Sequence, residues 1–223
     1  CDTAAIYGPN APAFGMEPWH PALFDAFALL TGKRAAFENY PRWQYAALRD
    51  EEHPLLPYHL DRETKLRCFC PDAHGDMKET EAPLTLRGRL LGGCLDVLRG
   101  LAGTSYDRTE AFLRRYPDEP LLWFFESCDL NVFDMERSLW QLEHCGWFSR
   151  VGGFLIGRPL HFDEPLFGLD QYAAVLHRLE KYRVPIIMDA DFGHLPPALP
   201  LVSGALATVA RRGNTLRLSY DFH

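Results

Sequence analysis

Two hydrophobic patterns alternate along most of this chain. The apolar runs Leu121–Phe125 and Val184–Met188 read as buried strands, and Leu84–Leu91 and Val151–Ile156 read as strands as well. Between them, apolar residues recur every three or four positions. Leu95, Leu98 and Leu101 form the stripe of a short helix ended by Gly103, and a second helix is predicted over 107–116. Met135, Leu139, Leu142 and Cys145 give the next helix its buried face, with Gly146 as its stop. Leu169, Tyr172, Ala173, Leu176 and Leu179 mark another over 169–182. Ala4–Tyr7 reads as an opening strand closed by a Gly8-Pro9-Asn10 turn. Pro21 begins a helix whose stripe is Leu23, Phe24, Phe27 and Leu30, with Gly32 beyond its end. Two last strands fall near 205–210 and 214–219. Strands alternating with helices predict an α/β fold. Residues 36–80 break the rhythm, being rich in Pro, Arg, Glu, His and aromatics, and read as a long excursion or interdomain crossing.

Two of the apolar runs lead into chemistry. Leu121–Phe125 runs straight into Glu126, and Val184–Met188 leads into Asp191-Phe192-Gly193-His194. In α/β proteins the carboxyl ends of strands form the rim where ligands bind. A Glu and a His there are two parts of a nucleophile–base–orienter system. Taken singly, a strand-end His is more often a satisfied polar residue, and such a Glu a solvated rim group.

Composition narrows the class. The chain has 223 residues, 47% apolar and 24% charged, which suits one sizeable core or one domain with part of another. No apolar stretch reaches the ~18–20 residues of a membrane helix, so no membrane partner is expected. A net charge of −7 with scattered Lys and Arg argues against nucleic acid. Six irregularly spaced cysteines predict reduced thiols in a cytoplasmic protein.

Other motifs add little. Cys68-x-Cys70 with His74 has poor zinc spacing and no second strong pair, so no metal and no cofactor are expected. Gly92-Gly93 reads as a turn and lacks the Lys and glycine spacing of a phosphate loop. Arg137 fits a surface ion pair as well as a role near the site, and Asp189 and Asp191 are expected to hold the geometry of the His turn.

Several segments, taken in order, resemble the LD-carboxypeptidase family of serine peptidases, most closely the branch that includes microcin C self-immunity peptidases. They are Tyr7-Gly8-Pro9-Asn10 with Phe14-Gly15-Met16; Leu91-Gly92-Gly93-Cys94-Leu95 followed by Leu101 to Tyr106; and Phe124-Phe125-Glu126. Asp134 to Arg137 with Leu139 and Leu142, Gly153 to Gly157, and Pro185 through His194 complete the series. The resemblance implies a two-domain hydrolase, with an N-terminal α/β domain carrying a serine nucleophile in a Gly-x-Ser-Asp turn. A C-terminal swivelling β/α domain supplies Glu and His. Residues 1–80 would then be a remnant of the first domain with the aromatic interdomain segment, and 81–223 the second domain. Carried over, His194 is the general base and Glu126 orients it and stabilises the imidazolium.

Two departures stand out. Cys94 occupies the position where the family has Asn in Gly-Gly-Asn-Leu. No Gly-x-Ser-Asp occurs, and none of the six serines (Ser105, Ser127, Ser138, Ser149, Ser203, Ser219) sits on a nucleophile turn. The nucleophile is therefore expected upstream of residue 1, and the chain alone is expected to be catalytically silent. The alternatives are a truncated module that folds or dimerises without hydrolysis, and a self-contained enzyme using Cys1 as an N-terminal nucleophile. The resemblance also implies a homodimer and a murein tetrapeptide-like or peptidyl-nucleotide-like substrate. Asn10 is the candidate substrate contact within the Tyr7–Asn10 motif. Among the aromatics Trp19, Tyr40, Trp43, Tyr45 and Tyr58 and the nearby His20, Trp43 is the candidate for stacking on the substrate, against a plain packing role.

Overall fold

The run Leu121–Phe125 lies in the middle strand of a nine-stranded sheet. The computed structural model describes residues 5–222. In chain order these form β1 (Ala5–Tyr7), α1 (Pro21–Leu30), β2 (Ala36–Glu38), β3 (Arg42–Trp43), β4 (Arg62–Glu63), β5 (Arg67–Pro71), β6 (Met77–Glu79) and β7 (Leu84–Cys94). Then come α2 (Leu95–Leu101), α3 (Thr109–Arg115), β8 (Leu121–Glu126), α4 (Val132–His144), β9 (Val151–Gly157), α5 (Gln171–Leu179) and β10 (Ile186–Ala190). Strands β11 (Leu201–Ser203), β12 (Leu206–Arg212) and β13 (Thr215–Asp221) complete the chain.

The large sheet runs β2-β13-β12-β7-β8-β9-β10-β5-β6. Its centre, β7 to β10, is parallel, and antiparallel strands extend it on both sides. Parallel strands need crossovers, and helices supply them here. Asn131 caps α4 by accepting the N–H groups of Phe133 and Asp134, and Asp170 caps α5 through Ala173. Both faces of the centre are covered, which is why β8 reads as a continuous apolar run rather than an alternating one. Leu122 and Phe124 point into a core shared with Ala22, Phe37, Leu90, Leu155 and Ile187. Leu121, Trp123 and Phe125 point the other way, against Leu95, Met135, Leu139, Leu142 and Val175 of the helices. Burying each large side chain contributes about 1.5–3 kcal/mol.

Three expectations need correction. Gly92 and Gly93 form no turn: they lie inside β7, paired with Phe124 and Phe125. A Cβ on Gly92 would fall 1.8 Å from the Phe124 carbonyl oxygen, so the glycine lets β7 lie against β8 there. Residues 36–80 hold five strands, of which β2, β5 and β6 join the large sheet. At two to five residues each, they are too short to show a period. Finally, α1 buries Ala22, Leu23, Asp25, Ala26 and Leu29, while Phe24, Phe27 and Leu30 of the expected stripe are exposed. The helix is rotated so that Asp25 accepts from the buried Tyr40 hydroxyl at 2.9 Å and pairs with Arg34. Phe24 and Phe27 pack on Trp19 instead.

Candidate active site

Glu126 is the last residue of β8 and lies in register opposite Cys94, the last residue of β7. Two strands further on, β10 ends at Ala190 and the chain turns through Asp191-Phe192-Gly193 to present His194. Gly193 has φ +111°, and a Cβ there would approach Glu126 Oε2 to 2.9 Å. The turn therefore needs glycine both for its backbone and for the room that it leaves the carboxylate.

The two strand-end residues meet. His194 Nδ1 lies 2.7 Å from Glu126 Oε2. The carboxylate is fully buried while the His194 side chain remains 41% exposed. The other carboxylate oxygen, Oε1, accepts the Tyr7 hydroxyl at 2.6 Å. Cys94 donates its thiol hydrogen to Asp96 Oδ2 at 3.3 Å. Asp96 also accepts the backbone N–H groups of Cys128 and Asp129, which fixes the chain just beyond Glu126.

The electrostatics follow from this packing. The hydrogen bond to Glu126 raises the His194 pKa against the opposing effect of burial, and the charges of Glu126, Asp96 and Asp129 raise it further. Burial and then the Glu126 charge raise the Tyr7 hydroxyl well above its ordinary value, so it remains a donor. Burial, with Glu126 nearby, pushes the Cys94 thiol up to about 12. At neutral pH it is a thiol, not a thiolate nucleophile. What the arrangement can do is clear: a partly exposed imidazole, held by a buried carboxylate, can accept a proton at its free Nε2.

The turn carrying His194 has its own anchor. Asp191 is fully buried and pairs with the buried Arg158. It also accepts the Tyr40 backbone N–H at 2.6 Å, tying the 36–80 segment to the His turn. Burial raises the Asp191 pKa, with Arg158 opposing. Arg158 donates to the Asp189 carbonyl at 2.8 Å. Asp189 itself, at φ +61°, accepts the Tyr172 hydroxyl, and burial pushes its carboxyl up to about 6.

A cavity of about 620 Å³ opens beside His194, lined among others by Tyr7, Asn10, Tyr58, Cys94 and Gly193. Asn10 thus lies in the cleft, with its Oδ1 accepting from the Ala13 N–H. Trp43 is not among its lining residues. That indole is 4% exposed, donates to the Glu63 carbonyl, and packs against Phe162 with the Arg158 guanidinium 4.6 Å from its ring. It borders a separate groove of about 800 Å³. Arg137 pairs with Asp134 on the surface of α4. Cys1 lies outside the described residues. Sequence reasoning assigned no role to Tyr7 or Asp96; the signals for Tyr7 were its place in the Tyr7–Asn10 segment of the family resemblance and its position closing a short strand before a Gly-Pro turn.

The sheet and its crossover helices agree with a match to known proteins. The LD-carboxypeptidase C-terminal domain model matches residues 87–209, and the chain belongs to that family. A Bacillus subtilis protein provisionally named carboxypeptidase YocD is 27% identical over 97% of this chain and 60% of its own length. A provisionally named carboxypeptidase from Streptomyces coelicolor is 33% identical over 61% of this chain and 41% of its own. The chain thus spans about two-fifths to three-fifths of these curated relatives. Among solved structures, an MccF-like protein from Streptococcus pneumoniae in complex with AMP superposes with a TM-score of 0.71 at 20% identity, over 98% of this chain and 64% of that one. The muramoyltetrapeptide carboxypeptidase from Oxalobacter formigenes gives 0.52 at 20% identity, over 71% and 50%. At that identity these likenesses describe the fold alone.

Proposed function

We propose that this chain carries the acid–base half of a serine-type carboxypeptidase, with His194 as general base and Glu126 as its orienting carboxylate. The observation that carries this reading is the 2.7 Å contact between a fully buried carboxylate and a partly exposed imidazole at the rim of a parallel sheet. Glu126 fixes the ring with Nδ1 towards itself and Nε2 towards the cleft. A serine hydroxyl placed at Nε2 would give up its proton as it attacks the scissile carbonyl, and the imidazolium would return it to the leaving amine. Among the described residues, no serine lines the cavity beside His194. The attacking hydroxyl is therefore assigned to a residue outside this sequence, in the remainder of a two-domain protein to which the segments 1–80 and 81–223 both belong.

The substrate class we favour is a peptidyl-nucleotide-like amide, with a murein tetrapeptide-like peptide as the second reading. Tyr58 on the cleft wall offers a ring beside the base, and solved relatives of the same fold include MccF in complex with aspartyl sulfamoyl adenosine. The experiment uses the whole gene product and assays both substrates. His194→Ala and Glu126→Ala are each expected to lower kcat by about a hundredfold or more. Wild-type turnover in either variant would overturn the assignment.

A further inference from the structure

Among the described residues, one group of three metal-ligating side chains has donor atoms within 4.8 Å of one another, and it comprises Cys94, Glu126 and His194. Its parts come from the ends of β7 and β8 and the turn after β10, so the sheet register brings them together rather than any local motif. The spacing that sequence reading weighed for zinc lies elsewhere. Cys68 and Cys70 have sulfurs 3.9 Å apart on β5, but His74 does not join them in a three-donor group.

We infer that Cys94, Glu126 and His194 form a binding site for a thiophilic divalent cation of the zinc type. One sulfur, one imidazole nitrogen and one carboxylate oxygen make the mixed set of soft and borderline donors that zinc takes. With bonds of about 2.0–2.3 Å, neighbouring donors of a tetrahedral zinc lie roughly 3.3–3.6 Å apart. The Nδ1–Oε2 pair at 2.7 Å must therefore open by roughly 0.6 Å or more, while donors at the 4.8 Å limit would close. Cys94 and His194 both line the cavity, so water can reach the cluster to fill a fourth position.

The surroundings already suit a cation. Glu126 receives the Tyr7 hydroxyl on Oε1, so Oε2 faces the cluster with its carboxylate plane fixed. Asp96 sits against Cys94, and the charges of Asp96, Asp129 and Glu126 all act on His194. An ion entering here would bind Nδ1 and Oε2 in place of their hydrogen bond, with the single ring proton passing from Nδ1 to Nε2 and the thiol proton released to solvent. The imidazole would stay neutral, carrying its one proton on Nε2. The inference concerns binding and does not depend on the hydrolase reading.

Cobalt(II) is the probe. Titrated into the purified metal-free protein, it is expected to give a saturable one-equivalent thiolate-to-metal absorption in the near ultraviolet, with visible bands of tetrahedral intensity. Zinc should displace it. Cys94→Ser should abolish the charge-transfer band and weaken zinc competition by roughly tenfold or more. A Cys68→Ser, Cys70→Ser double variant should retain both. No saturable band in the parent protein, or a band that persists in Cys94→Ser, overturns the site. Should Cys94→Ser lose its fold by circular dichroism, His194→Gln replaces it, and unchanged zinc affinity in that variant overturns the site equally.

Discussion

The Tyr7 hydroxyl donates to Glu126 Oε1 at 2.6 Å, joining residues 119 positions apart. Glu126 thereby has one oxygen satisfied by a phenol that stays protonated and the other by the imidazole. A fully buried carboxylate needs both, because an unpaired oxygen in that environment is costly.

Tyr7→Phe removes that donor while keeping the ring that packs on Phe124. The expected loss is about 1–3 kcal/mol of stability, read by urea denaturation. Unchanged stability would mean that the oxygen finds another partner, and the bond to Tyr7 would then be incidental.

The His194 titration should be displaced upwards, and Glu126 is the first cause. A histidine whose folded pKa is raised contributes stability that is fully present below the unfolded value, about 6.5, and is lost as pH rises through the folded value. Turnover of the whole gene product should run the opposite way, rising over the same window as the imidazole becomes a neutral base. NMR titration of the ring checks the first statement, and Glu126→Gln should bring the midpoint down. A midpoint that stays put in Glu126→Gln would show that the contact does not control the ring.

Gly193→Ala puts a methyl group 2.9 Å from Glu126 Oε2 at a backbone angle that L residues rarely adopt. We expect a loss of about 1–3 kcal/mol and a His194 pKa moved back towards its ordinary value as the pair separates. A variant of wild-type stability and titration would show that the turn can relax away.

Asp191→Ala leaves Arg158 charged, buried and without its partner. Such a break costs about 3–5 kcal/mol. Replacing both residues together by apolar side chains of similar volume should recover much of that loss in denaturant unfolding. Equal losses in the single and double variants would place the cost in the lost Tyr40 N–H bond and in packing rather than in charge.

The sequence pattern carried the centre of this fold because Leu121–Phe125 of β8, Phe154–Ile156 of β9 and Ile186–Met188 of β10 are buried on both faces and so are apolar without interruption. It carried Glu126 and His194 for a related reason, since a polar residue closing such a run stands out. It did not carry Gly92-Gly93 as strand, because local propensity reads paired glycines as a turn while the close carbonyl of Phe124 demands them in a ladder. The strands of 36–80 were hidden by their length. The rotation of α1 depends on Asp25 meeting Tyr40, a contact no helical period encodes. Cys94 and Tyr7 reach Glu126 only through the register of β7 against β8 and the placement of β1, which are long-range facts.

That register has a consequence for how the molecule assembles. Glu126 and His194 are 68 positions apart and meet only after β9 has paired with β8 on one side and β10 on the other. Parallel pairings of this kind form slowly, because the intervening chain must be closed into a loop before contact is rewarded. The displaced resonance of one imidazole is thus a clock for the last stage of folding, and in refolding experiments it should appear after the helical signal is complete.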